Sequence, residues 1–324
     1  MTKLKRQLCF LFFCCIFLSG CSRATTQEPE ASASQMPEAS ASQMPEAVSF
    51  SDDLDNNVTI ANPQKTAVLS GSLADAWLLA GGSVYATTED TWSISNISLD
   101  PDTISLGSLS SPNLEAMISN DIDFVILSAN IPYHIKLKEQ LKAADIPTAY
   151  FDVETFDDYA RMMKIFTDIT GRSDLYDENV LTLRTAIEEQ ISRSDGSHPS
   201  VLFLRAYSKG VKAKDSSSMT GTMLHDLGCI NIADSDSVFS ENLSLEAIIA
   251  ASPDYIFVTT MGNSEAAAQK SLDKLLISNP AWSSLDAVQQ GNYYVLPKEL
   301  FQNKPNKRWP ESYRFLADIL YGGE

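Results

Sequence analysis

From residue 65 to the end of the chain, short apolar runs alternate with stretches of helical period. Lys65–Ser70, Ser83–Thr87, Thr103–Leu106, Phe124–Leu127 and Thr148–Val153 read as strands in the first half. Val201–Leu204, Tyr255–Val258 and Tyr293–Leu296 read as strands in the second. Between them, Leu73–Ala80 is a helix stopped by Gly81 and Gly82, and His134–Ala144 carries Leu137 and Leu141 on one stripe. Met219–Leu227 stops at Gly228, Glu265–Leu276 is a longer helical stretch, and Pro310–Leu320 closes the chain. Short strand–helix alternation predicts mostly parallel sheets covered on both faces.

One unit occurs twice. Asn113-Leu-Glu-Ala-Met-Ile118 followed by Asp123-Phe-Val-Ile126 returns as Ser244-Leu-Glu-Ala-Ile-Ile249 followed by Asp254-Tyr-Ile-Phe257, 131 residues later (113 to 244). Each copy is a capping residue, a short apolar helix, an aspartate turn and a strand, which argues for two similar lobes. Each lobe thereby carries a matched carboxylate, Glu115 and Glu246, two residues after an N-cap. A carboxylate there gains about 0.3–1 kcal/mol from the helix dipole, so a structural role competes with a recognition role.

The joining segment is helical in period. Thr155–Thr170 and Ser173–Ser192 flank Gly171, and Leu175, Val180, Leu183, Ile187 and Ile191 give the second stretch an apolar face. Twenty residues of helix span about 30 Å, which predicts a stiff spine and small lobe closure. The expectation is an α/β protein: two Rossmann-like lobes at 57–154 and 198–324, joined by a helical linker at 155–197.

The chain has 324 residues and a formal charge of −18, and Lys3, Lys5 and Arg6 precede the apolar run Leu8–Phe17. Residues 1–20 read as a signal peptide, too short for a lasting membrane span. Leu18-Ser-Gly-Cys21 resembles the lipobox of bacterial lipoproteins, which implies that Cys21 is diacylated and anchors the chain to the membrane outside the cytoplasm. The octad Pro29–Met36 repeats as Pro37–Met44, so residues 21–56 read as a disordered tether. Removing the three basic residues with the signal takes the charge from −18 to −21, which excludes nucleic acid and anionic lipid as partners held by bulk attraction. Cys229 would then be alone, with no disulfide or cysteine metal cluster available.

Several further stretches fix a resemblance. They are Leu141-Lys-Ala-Ala-Asp-Ile-Pro147, Met223-Leu-His-Asp-Leu-Gly-Cys-Ile-Asn231, Asn279-Pro-Ala-Trp-Ser-Ser-Leu-Asp-Ala-Val288 and Gly291-Asn-Tyr-Tyr-Val295. Taken in order with the two Leu-Glu units, they cover nearly all of 65–324. The chain resembles the helical-backbone substrate-binding proteins of ABC importers for iron–siderophores, haem and cobalamin. The resemblance implies capture of a metal chelate, foremost a ferric siderophore, between the lobes and its delivery to permease subunits powered by a cytoplasmic ATPase. It also implies that Glu115 and Glu246 dock into permease arginines. Haem or a corrinoid is the alternative cargo, and a chelatase-like surface enzyme a more distant one. The first-strand loop, Ser70-Gly-Ser-Leu-Ala-Asp-Ala76, departs from the family's usual Ser-Pro type.

Loops at the carboxyl ends of strands should form the ligand site, namely Ser70–Ser72, Thr87–Trp92, Ala129–His134, Arg205–Tyr207, Thr259–Met261 and Lys298–Trp309. Trp92, Tyr133, Tyr207 and Trp309 could stack on a flat ligand, and for each a packing role competes. Arg205, delivered by an apolar strand, would suit an anionic chelate, with a surface salt bridge as the competing role. His134 is a candidate axial ligand to haem iron. His, Asp and Glu show no metal-ligand spacing, and no cofactor is expected. Gly-x-Ser-x-Gly, phosphate-loop and His-Glu-x-x-His motifs do not occur, and Ser72 and Ser128 lack a base partner in the sequence.

Overall fold

A computed structural model describes residues 47–94, 97–235, 244–262 and 264–322. The signal peptide, Cys21 and the Pro-Glu-Ala-Ser-Ala-Ser-Gln-Met repeats lie outside the described residues. The first lobe is built from β3 (Thr66–Val68), α1 (Gly71–Leu79), β4 (Ala86–Thr87), β5 (Ile104–Ser105), α2 (Leu114–Ser119), β6 (Phe124–Ser128), α3 (Pro132–Lys136), α4 (Lys138–Ala143) and β7 (Thr148–Phe151). Its five strands run in the order β5-β4-β3-β6-β7, and every pairing is parallel. The second lobe contains β8 (Ser200–Tyr207), β9 (Gly210–Ala213), α8 (Met219–Asp226), β10 (Ile230–Asn231), α9 (Leu245–Ala251), β11 (Tyr255–Thr260), α10 (Glu265–Leu272), α11 (Asp286–Gln289), β12 (Tyr293–Val295), α12 (Lys298–Phe301) and α13 (Trp309–Tyr321). Here β10-β8-β11-β12 are parallel, and β9 folds back antiparallel on the outer part of β8. The α/β character and mostly parallel sheets are as the alternation predicts.

The duplicated unit does one mechanical job twice. Asn113 and Ser244 cap α2 and α9 by accepting the Ala116 and Ala247 amides at 3.0 and 3.1 Å. Met117 and Ile248 are fully buried at the same helical position. Asp123 accepts the Gln64 and Lys65 amides at 2.7 and 2.9 Å, and Asp254 accepts the Ser200 amide at 2.7 Å. Both aspartates thus lock the start of the neighbouring strand in their lobe.

The expected tether boundary at 56 needs correction. Val48–Ser51 (β1) pairs antiparallel with Asn57–Ile60 (β2), and Phe50 stacks on Phe151 with centroids 6.3 Å apart. The two aspartates between these strands cover the open edge of β7. Asp52 accepts the Tyr150 amide at 3.0 Å and Asp53 the Asp152 amide at 2.6 Å, while Arg161 holds Asp53 at 2.6 Å. An exposed strand edge is a template for wrong pairing, and these carboxylates close it. Composition concealed the strand because its flanks are polar, small and acidic.

The joining segment is two helical stretches rather than one rod. The first is α5 (Phe156–Thr170), opened by a capping box between Thr155 and Asp158 and ended by Gly171 at φ +70°. The second contains α6 (Ser173–Tyr176), a π-turn at Asp177–Leu181 and α7 (Thr182–Ile191). The first packs into the N-terminal lobe, where Phe166 makes edge-on contacts with Trp77 at 5.2 Å and Phe151 at 5.0 Å. Each lobe has a private apolar cluster on one side of its sheet. The opposite sides share a third cluster, in which Phe124 and Trp77 join Phe203, Phe257 and Leu316 through Phe156 and Phe166. The lobes are therefore continuous through apolar packing as well as through the chain.

Candidate functional site

A cleft of about 570 Å³ opens where the strand ends of both lobes meet. The first lobe contributes Ser70, Asp90, Ser128, Asn130, Asp152 and Glu154; the second contributes Arg205, Met219, Met261, Gln302 and Lys304. A larger hollow of about 730 Å³ lies outside the cleft, between Trp77, Gly82 and Thr170. Its ionisable side chain, Asp168, is already paired with Lys164. Convergent charge from two lobes makes the cleft the candidate site.

The acidic wall is held by backbone chemistry. Asp90 accepts the Gly71 amide at 2.8 Å, which places a carboxylate at the N-terminus of α1, and it also accepts the Thr88 hydroxyl at 2.6 Å. A Cβ on Gly71 would stand 3.0 Å from the Thr91 backbone and 3.1 Å from the Asp90 carboxylate, so a side chain here would crowd this turn. Asn130 donates to Asp152 at 2.8 Å and takes the Ser128 hydroxyl at 2.6 Å. Burial, then the neighbouring Glu154, raises the Asp152 carboxyl above its ordinary value.

The cationic wall comes from the other lobe. Arg205 reaches the cleft from β8, and its Nε is buried with no hydrogen-bond partner among the described residues. Lys304 bridges the lobes by donating to Glu154 at 3.0 Å. The same glutamate accepts the Met219 amide at 2.9 Å, the first residue of α8. Deeper between the lobes, Asn306 donates to the Ser72 carbonyl and the Asp75 carboxylate, both at 2.8 Å. Asn306 is buried and holds φ at +48°, an uncommon value outside glycine. Burial raises the Asp75 carboxyl, with the Asn306 bond and then Lys307 opposing it.

Of the six sequence-predicted ligand residues, Arg205 lines the cleft. Trp92 is half exposed on the turn that carries Asp90, and Tyr133 is exposed beside the lining residue Pro132. Tyr207 ends β8 opposite Gly210, outside the lining. Two expectations are overturned. His134 is fully buried, its Nδ1 accepts the Ser128 amide at 3.1 Å, and its Nε2 lies 3.0 Å from the Leu109 carbonyl. With both ring nitrogens committed it ties two loops together and has no lone pair to give a haem iron; burial lowers its pKa further toward the neutral form. Trp309 is buried against Phe156 and Tyr313, at 5.9 and 6.5 Å, and is a core residue.

Sequence reading placed Asp90 and Lys304 on predicted ligand loops without singling them out, and it missed Asp152 and Glu154. Asp152 and Glu154 directly follow a buried strand, the same signal that singled out Arg205. Lys304 was not distinguished within its predicted loop, because an irregular loop has no periodicity to tell which side chain faces the cleft. Among the described residues, no group of three or more His, Cys, Asp or Glu is placed to hold a metal ion.

Glu115 and Glu246 are exposed on α2 and α9, at matched positions one on each lobe. Neither forms an ion pair among the described residues.

The sequence profile of the periplasmic binding proteins matches residues 67–300. The chain is 24% identical over 305 residues to the Fe(3+)-citrate-binding protein YfmC of Bacillus subtilis, covering 90% of this chain and 89% of that one. An ABC transporter substrate-binding protein from Listeria monocytogenes superposes with a TM-score of 0.68 at 19% identity, over 81% of this chain and all of that one. Staphylococcus aureus SirA complexed with staphyloferrin B gives 0.65 at 19% identity, over 85% and 97%. With the profile spanning most of both lobes, and a two-lobed α/β fold around a cleft, this chain belongs to the periplasmic binding protein family.

Proposed function

We propose that the protein is the extracytoplasmic receptor of an ABC importer and captures a ferric chelate in the interlobe cleft. The observation that carries this reading is the pair of cations, Arg205 and Lys304, facing a cleft of about 570 Å³ in a protein of this family. A ferric citrate or carboxylate siderophore complex is anionic and offers carboxylate oxygens to such donors, with charge-assisted hydrogen bonds giving orientation. The likeness to a ferric-citrate-binding protein and to a fold that holds staphyloferrin B in SirA supports that choice of cargo. Trp92 and Tyr133 lie exposed next to lining residues and would close over a bound chelate.

In this reading the protein itself performs no turnover. Cys21 anchors it to the membrane, and the repeat-bearing segment between the anchor and the fold lets the folded body reach its permease at high effective concentration. Glu115 and Glu246 form the docking pair. Their caps, buried neighbours and strand locks are accounted for by other residues of each unit, which leaves the two exposed carboxylates for a partner's arginines.

The test is a fluorescence titration of the full-length protein with ferric citrate, catecholate and hydroxamate ferric siderophores, haem and cobalamin. Saturable quenching by ferric citrate or a ferric siderophore at submicromolar ligand supports the reading. Binding of cobalamin or haem alone overturns the cargo, and no response to any probe overturns the chelate assignment.

A further inference from the structure

Glu154 occupies the position a ligand would want. It leaves the first lobe between β7 and α5, and its amide is tied to Asp158 at 3.2 Å. Across the cleft, its two carboxylate oxygens take the Lys304 ammonium at 3.0 Å and the Met219 amide at 2.9 Å. Those two donors are an ammonium and the first N–H of an eight-residue helix, the kind of pair that receives a bound carboxylate. Its own lobe offers weak competition: Asn130 donates to Asp152 at 2.8 Å and only at 3.5 Å to the Glu154 oxygen that holds Lys304.

The charge count makes the consequence specific. Three carboxylates, Asp90, Asp152 and Glu154, line the cleft against two cations, Arg205 and Lys304. Asp90 is engaged by α1, and Lys304 is engaged by Glu154. An arriving anion therefore finds Arg205 available and a wall of like charge elsewhere. Once Glu154 is displaced, the ammonium and the helix terminus both become available.

We infer that Glu154 is an intramolecular stand-in for the ligand's anionic group, and that it selects for chelates with carboxylates able to replace it. This rests on the receptor reading above. Binding exchanges an interlobe bond for ligand-mediated ones, so the apparent affinity is lowered by the fraction of molecules in which Glu154 still holds the donors. A ligand that presents no anion gains nothing from Lys304 or α8 and leaves the stand-in in place. The residue thus acts on specificity as much as on affinity.

The experiment uses full-length protein and two probes, anionic ferric citrate and a neutral ferric trihydroxamate. Glu154→Gln should tighten ferric citrate about tenfold, the scale of one charge-assisted contact, and move the neutral probe less than about twofold. In a Lys304→Gln background the gain from Glu154→Gln should vanish, because the donor being released is gone. Glu154→Asp keeps the charge but shortens the reach, and should tighten ferric citrate about threefold; it serves where the glutamine variant fails to fold. Unchanged or weaker ferric citrate binding in both variants, with wild type binding normally, overturns the stand-in and leaves the receptor reading intact. Equal gains for both probes also overturn it, since that marks a general loosening of the lobes. Failure of wild type and folded variants to bind ferric citrate overturns this inference, and the receptor reading is then decided by the wider titration above.

Discussion

The two lobes are alike at their outer helices and unlike at the cleft. On α2 and α9 a side-chain cap (Asn113, Ser244), a buried apolar residue (Met117, Ile248) and an exposed glutamate (Glu115, Glu246) recur at matched positions. At the cleft, one lobe presents Asp90, Asp152 and Glu154 and the other Arg205 and Lys304. The repeated unit is constrained by a helix cap and a strand lock that any such lobe needs. The cleft walls have no shared task of that kind. They need only face each other, and opposite charge lets Glu154 and Lys304 hold the lobes together across the opening. Similarity marks what the fold requires and, in the proposed reading, what a two-sided partner would meet; difference marks what a ligand would meet.

The strongest way to break the outer equivalence is to remove it. Glu115→Ala together with Glu246→Ala should abolish cellular uptake of the bound chelate while its Kd in vitro stays the same. Each single variant should cost a comparable share of uptake. A deficit confined to one glutamate would show that the lobes are not read as a pair, and lost ligand binding in the double variant would count against docking altogether.

A second prediction concerns the packing that the lobes share. Phe166 is buried between Trp77 and Phe151, and truncation to alanine should cost about 3–5 kcal/mol in urea unfolding. Because that cluster continues into the second lobe through Phe156 and Trp309, the loss should lower a single transition for both lobes. Two separated transitions would show that the private clusters fold independently.

The smallest effect belongs to Asp75, buried between the lobes. Burial raises its folded-state pKa above the ordinary 3.8, so the folded state binds the proton more tightly than the unfolded one. Its contribution is therefore favourable below 3.8 and declines as pH rises through the folded-state pKa. Asp75→Asn keeps an acceptor for Asn306 and should remove that decline. Unfolding curves at a series of pH values should show the variant gaining on wild type as pH increases from below 4 toward neutrality. A variant that falls behind wild type over the same range would show that attraction from Lys307 outweighs burial.

Much of this architecture was legible as pattern. The strands Phe124–Ser128 and Tyr255–Thr260, the caps Asn113 and Ser244, and the stop at Gly171 each depend on residues close in sequence, so local periodicity and turn chemistry expose them. β1 escaped because its flanks are polar and acidic and its stability comes from Phe50 stacking on Phe151, far along the chain. His134 and Trp309 were misread for a related reason. A histidine at a loop and a tryptophan at a helix start have two uses each, and only the neighbours decide which one is realised.

By itself, the sequence determined the α/β class, the doubled lobe, the helical join and the matched glutamates, because all of these rest on spacing along one chain. Only the tertiary structure decided the cleft. Asp90, Asp152 with Glu154, Arg205 and Lys304 come from four separate segments, and Glu154 and Lys304 lie 150 positions apart. Their encounter depends on how the lobes pack through Phe156 and Trp309, and on an asparagine at 306 held in a left-handed backbone. Coulomb attraction and desolvation depend on distance in space, and no periodicity in a sequence records that distance.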